Sequence, residues 1–167
     1  RLTLAQFSDG NPEITHYDNI KERKLLNYEP CGCTALYDCL GRIFEEYGNE
    51  EGAIVVIYTD GEENSSNKWT KEMVEKKIKH LQDEKGWEFE FSAANQDSWA
   101  VGNSIGITNT QDFLPTPDGL TRALHVSRNT SLGYRQSSAQ RIRSTPGARR
   151  VQSQPLPNDQ YDVHIGP

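Results

Sequence analysis

The stretch Ala53-Ile54-Val55-Val56-Ile57-Tyr58-Thr59, running into Asp60-Gly61-Glu62-Glu63-Asn64, constrains this chain more than any other. Its unbroken apolar run, rich in β-branched residues, reads as a strand buried on both faces, as in parallel sheets covered by helices. Helical periodicity flanks it. Leu36, Leu40, Ile43, Phe44 and Tyr47 share one face of a helix over 34–47 that Gly48 stops. Val74, Ile78 and Leu81 do the same over 71–85, with Gly86 after its end. Before the run, RLTLAQFS and EITHYDNI read as two strands joined at the turn signal Asp9-Gly10-Asn11-Pro12, the second an edge strand. After it come the strand WEFEFSAA, a short helix capped by Asp97, and a last helix opened by Thr116-Pro117. The alternation predicts an α/β, Rossmann-like fold, with a mostly parallel central sheet and helices on both faces.

What the acids after Thr59 do is the functional question. Asp60-Gly61 alone is a turn; after a buried parallel strand it also suits a metal or phosphate site, because open α/β folds place ligands at the carboxyl ends of their strands. The turn Pro30-Cys31-Gly32-Cys33-Thr34, opening the first helix, is expected at the same edge. Thr34 suits an N-cap, and its hydroxyl beside the Asp60 carboxylate suits a hard cation such as Mg²⁺, which takes oxygen ligands and keeps several waters. Glu62, Glu63 and Asn64 read as a solvated or partner-facing rim, and Asp38 as a first-turn acid favoured by the helix dipole. Cys31-x-Cys33 lacks the spacing and the four ligands of a zinc site, leaving Cys33 and Cys39 as small buried fillers.

These residues resemble the von Willebrand factor type A domain, in its bacterial and phage form. The resemblance rests on Gly32-Cys33-Thr34-Ala35-Leu36-Tyr37-Asp38, on Ile57-Tyr58-Thr59-Asp60-Gly61-Glu62-Glu63-Asn64, and on Ser92-Ala93-Ala94-Asn95-Gln96-Asp97 with Gly102 and Ile105-Gly106-Ile107. It covers roughly residues 1–133. It implies a metal-ion-dependent adhesion site in which Thr34 and Asp60 match the family's threonine and aspartate. The family's Asp-x-Ser-x-Ser loop occurs nowhere in the 167 residues, so these residues alone are expected to bind Mg²⁺ weakly or not at all. RLTLAQFS aligns with the family's second strand, so the resemblance also implies a missing central strand, supplied by an upstream stretch or another chain. The start at Arg1 rather than Met agrees with that expectation.

Composition divides the chain. Residues 1–133 carry 13 Lys+Arg against 22 Asp+Glu, a net of −9 that argues against direct nucleic-acid binding. Residues 134–167 carry Arg135, Arg141, Arg143, Arg149 and Arg150 against Asp159 and Asp162, among Pro, Ser, Gln and Gly. That composition predicts an extended tail lying along a neighbouring subunit, with Arg141, Arg143, Arg149 and Arg150 as partner contacts. Three cysteines, an odd number, point to reduced thiols and an intracellular or virion setting, and no apolar run reaches membrane-spanning length. With no glycine-rich phosphate loop and no nucleophile paired to a base, the sequence points away from an enzyme. The function implied is a metal-bridged protein-interaction module. The alternatives are a structural subunit of a large assembly with a vestigial site, or a regulatory partner of an ATPase.

Overall fold

The computed structural model describes residues 2–8, 11–18, 32–94 and 97–144, with 135 and 137–144 as backbone only. The strands are β1 (Leu2–Gln6), β2 (Glu13–Tyr17), β3 (Ile54–Thr59), β4 (Glu88–Ala93) and β5 (Thr110–Asp112). The helices are α1 (Leu36–Tyr47), α2 (Lys71–Lys85), α3 (Ser98–Ser104) and α4 (Pro117–Ser144). This is a mixed α/β arrangement in which β3, β4 and β5 pair in parallel, in that order, compatible with a Rossmann-like fold.

The ends of the elements follow local chemistry. The Thr70 hydroxyl accepts Met73 N–H to open α2, and Gly86 closes it at φ 64°, a left-handed conformation suited to glycine. Asp97 accepts Ala100 N–H to open α3, and Thr116 accepts Gly119 N–H ahead of Pro117 in α4.

Side-chain alternation gives the three-stranded sheet two unlike faces. Phe89, Phe91 and Ala93 of β4 enter the apolar core with Leu36, Leu40 and Phe44 of α1 and Val74, Ile78 and Leu81 of α2. Phe44 stands edge-on to Trp69, Trp87 and Phe89, each contact adding to what burial alone supplies. Glu90 and Ser92 face the other way, toward α4. There Gln111 Nε2 bonds Glu90 Oε1 (3.2 Å), Ser92 Oγ (2.8 Å), Ser127 Oγ (3.1 Å) and the Ala123 carbonyl (3.2 Å). Ser127 also bonds Glu90, and Tyr58 donates to Ser127 at 2.6 Å. The second face is therefore a buried polar seam, where an apolar strand such as β3 led one to expect more core.

The β1–β2 hairpin is antiparallel and forms a separate sheet. It is held to the body through α1: Ala35 N–H donates to Ser8 O (2.9 Å), Tyr47 Oη meets His16 Nδ1 (2.8 Å), and Phe7 packs on the core. Among the described residues, β1 pairs only with β2 and β3 only with β4, so each keeps one unpaired edge.

The C-terminal part differs from the extended tail that its composition suggests. Helix α4 has 28 residues and runs through the expected boundary at 133/134 to Ser144, taking the backbone of Arg141 and Arg143 with it. Tyr134 to Ser144 contains neither Gly nor Pro, and its Gln, Arg and Ala residues propagate a helix already started. Arg149 and Arg150 lie outside the described residues. No described helix is long and apolar enough to cross a membrane.

Candidate functional site

Thr59, Ala93 and Asp112 stand in register, so β3, β4 and β5 release their loops at one carboxyl edge. Asp60 is exposed directly beyond β3. Thr59 shapes the exit: its hydroxyl bonds the Gly61 carbonyl (2.9 Å) and accepts Gly61 N–H (3.3 Å). The loop then lies against the start of α1. Thr34 N–H donates to Asn64 Oδ1 (2.9 Å), and Asn64 N–H returns to Thr34 O (3.0 Å). A Cβ added at Gly61 would stand 2.6 Å from Thr34 Oγ1, so the glycine is what admits the hydroxyl there. The two predicted ion ligands thus belong to loops tied to each other across 26 residues of sequence.

The capping expected of Thr34 is done otherwise. Ala35 holds the N-cap position of α1 and no side chain caps from it. The free N–H groups of the first turn are met by the loop after β3: Tyr37 N–H by Glu63 Oε2 (2.9 Å) and Asp38 N–H by Ser66 Oγ (3.1 Å). Glu63 also accepts Ser65 N–H (3.0 Å), Ser66 N–H (2.8 Å) and Ser66 Oγ (2.8 Å). Of the three residues expected on a partner-facing rim, Glu62 and Asn64 are exposed, Asn64 also bonding Thr34, while Glu63 is half-buried and bonded within the chain. A carboxylate at this helix end also meets the positive end of the α1 dipole.

Asp38 is the reciprocal strut. Its carboxylate accepts Asn67 N–H (2.8 Å), Lys68 N–H (2.9 Å) and Trp69 N–H (2.7 Å). Desolvation pushes its acidity toward the neutral form, but the three N–H groups, aided by the Lys68 charge, outweigh it and hold its pKa below the usual carboxylate value. Burial, then the Glu63 and Glu72 charges, raise the Tyr37 phenol. Ser65 Oγ in the same loop is buried with no hydrogen-bond partner among the described residues. Cys39 is buried, its thiol pushed up to about 12, whereas Cys33 is exposed and so is not the core filler expected.

The donor set defines what the edge can hold. Among the described residues no three His, Cys, Asp or Glu side chains gather as a metal-ligating group. Thr34 and Asp60 supply one hydroxyl and one carboxylate, hard oxygens of the kind a small divalent cation takes, but only part of an octahedral set. The cradle at Gly61 keeps the Thr34 hydroxyl in the loop pair, one residue from Asp60 in the facing loop. Comparison with known proteins finds no matching family model, no matching curated protein and no matching solved structure.

Proposed function

We propose that this chain is a protein-interaction module of von Willebrand factor A type that engages its partner through a divalent cation. The observation that carries the reading is the laced loop pair: Thr34 lies against Gly61, next to Asp60, at the carboxyl edge of a parallel sheet. Thr34 and Asp60 would hold Mg²⁺, and the bound ion would offer an open position to a partner's Asp or Glu. The remaining donors would come from an Asp-x-Ser-x-Ser loop outside these 167 residues, so the chain alone binds the ion weakly. The unpaired edges of β1 and β3 support a further strand from this protein's own sequence or from another chain, since open edges invite pairing.

A second reading, a subunit of a large assembly with a vestigial ion site, is favoured by α4. Leu120, Leu124, Val126 and Leu132 are 40–51% exposed along it, apolar surface that a neighbouring subunit would cover. Thermal unfolding in Mg²⁺ and after chelation separates the two, because an ion bound to the native state raises its stability. A rise present in the wild type and absent in Thr34→Ala and Asp60→Ala supports the cation reading. An equal rise in both variants, or none in the wild type, favours the structural one.

A further inference from the structure

We propose that the carboxyl edge carries a second, cation-independent docking surface, centred on Trp99, Leu114 and Leu120, for a partner segment that sets Lys or Arg around an apolar anchor. Trp99 is 67% exposed and Leu114 69%, the two largest exposures among the large hydrophobics described, and Leu120 is 40% exposed. They come from three consecutive elements that meet at β5. Ser98 N–H donates to Asp112 Oδ1 (3.1 Å), which brings the start of α3 to the end of β5. Phe113 N–H donates to the Ala93 carbonyl (3.0 Å), and Thr116 N–H to the Leu114 carbonyl (2.7 Å). The Leu114 backbone sits over Gly119, where an added Cβ would overlap it. Backbone bonds thus set the positions of Leu114 and Leu120, and the Asp112 carboxylate that of the Trp99 turn, independently of the exposed apolar side chains.

Charge identifies the occupant. Each exposed apolar residue follows an exposed acid by two positions: Asp97 and Trp99, Asp112 and Leu114, Asp118 and Leu120. Asp97, Asp112 and Asp118 are thus three exposed acids at the anchors, against one exposed cation on the same stretch of chain, Arg122. Asp97 accepts the Ala100 N–H, and Asp112 accepts the N–H and the hydroxyl of Ser98, so each exposed carboxylate still has acceptor capacity to spare. Single exposed hydrophobics are ordinary, but a tryptophan and two leucines each set beside an exposed acid have the composition of a binding anchor, and the complement of its net negative charge is cationic.

The test uses the full chain, ¹⁵N-labelled, in chelator, so that the cation reading is not engaged and either proposal can fail alone. The probe is a short peptide alternating arginine and leucine, with a glutamate and leucine peptide as control. The arginine peptide is expected to shift the Trp99 indole and the amides of 112–120, more weakly as salt rises. Trp99→Ala is expected to lower its affinity at least about tenfold, and Asp118→Asn to weaken it while the fold is retained. Equal binding of the glutamate peptide, shifts centred on Leu124 and Leu132, or no effect of Trp99→Ala would overturn the proposal. So would concentration-dependent shifts of the same residues without peptide, which would assign the surface to a second copy.

Discussion

Glu63→Ala removes one carboxylate that accepts from Tyr37 N, Ser65 N, Ser66 N and Ser66 Oγ. One of those bonds is in effect the N-cap of α1, worth about 1 kcal/mol. The others fix a half-buried loop whose donors water replaces in part, at about 0.5–1 kcal/mol each. The expected loss is therefore roughly 2.5–4 kcal/mol. With a urea slope of about 2 kcal/mol/M, the unfolding midpoint falls by about 1.2–2 M with the slope unchanged. Glu63→Gln keeps an acceptor but loses the charge and turns one oxygen into a donor, so its midpoint falls between the two. A midpoint within about 0.25 M of wild type, the range of a plain surface substitution, would refute the strut and return Glu63 to the rim.

Two further outcomes follow from neighbouring contacts. Gly41→Ala, although alanine favours helix by about 1 kcal/mol, destabilises because its Cβ would overlap the Trp69 ring against α1; overpacking of about 1–3 kcal/mol exceeds the gain, and a raised urea midpoint would show Trp69 free to move. Asp38 has a folded pKa below its unfolded value of about 3.9, so its stabilisation is full above that value and lost as pH falls through the folded pKa. The midpoint difference between wild type and Asp38→Asn should accordingly shrink below about pH 4, and a difference independent of pH would remove the Asp38 strut from the account.

The periodic elements were legible from sequence because their signals are local. Leu36, Leu40 and Phe44 mark the buried face of α1, and Gly86 its counterpart's end, without reference to any distant residue. The candidate site was legible only in outline. Thr34 and Asp60 could be placed at one edge by topology, but the cap of α1 comes from Glu63 and Ser66, across the whole of β3, and no local pattern announces that. The buried Glu90 was hidden for a similar reason: nothing local to Trp87-Glu88-Phe89-Glu90-Phe91 supplies a partner for a buried carboxylate, and Gln111 and Ser127 arrive from later elements to satisfy it. The tail was misjudged up to Ser144 because composition averaged over 134–167 diluted a glycine- and proline-free stretch that extends α4.

The central claim is where the cation binds, and paramagnetic line broadening by Mn²⁺, standing in for Mg²⁺, tests it without a partner in hand. Even weak binding broadens nearby amides. Broadening is expected to centre on Gly32 to Ala35 and on Asp60 and Gly61, to be reversed by excess Mg²⁺ and to be lost in Asp60→Ala. Broadening centred on the His80–Glu84 pair of α2 instead, or none at the Thr34 and Asp60 loops, would contradict it.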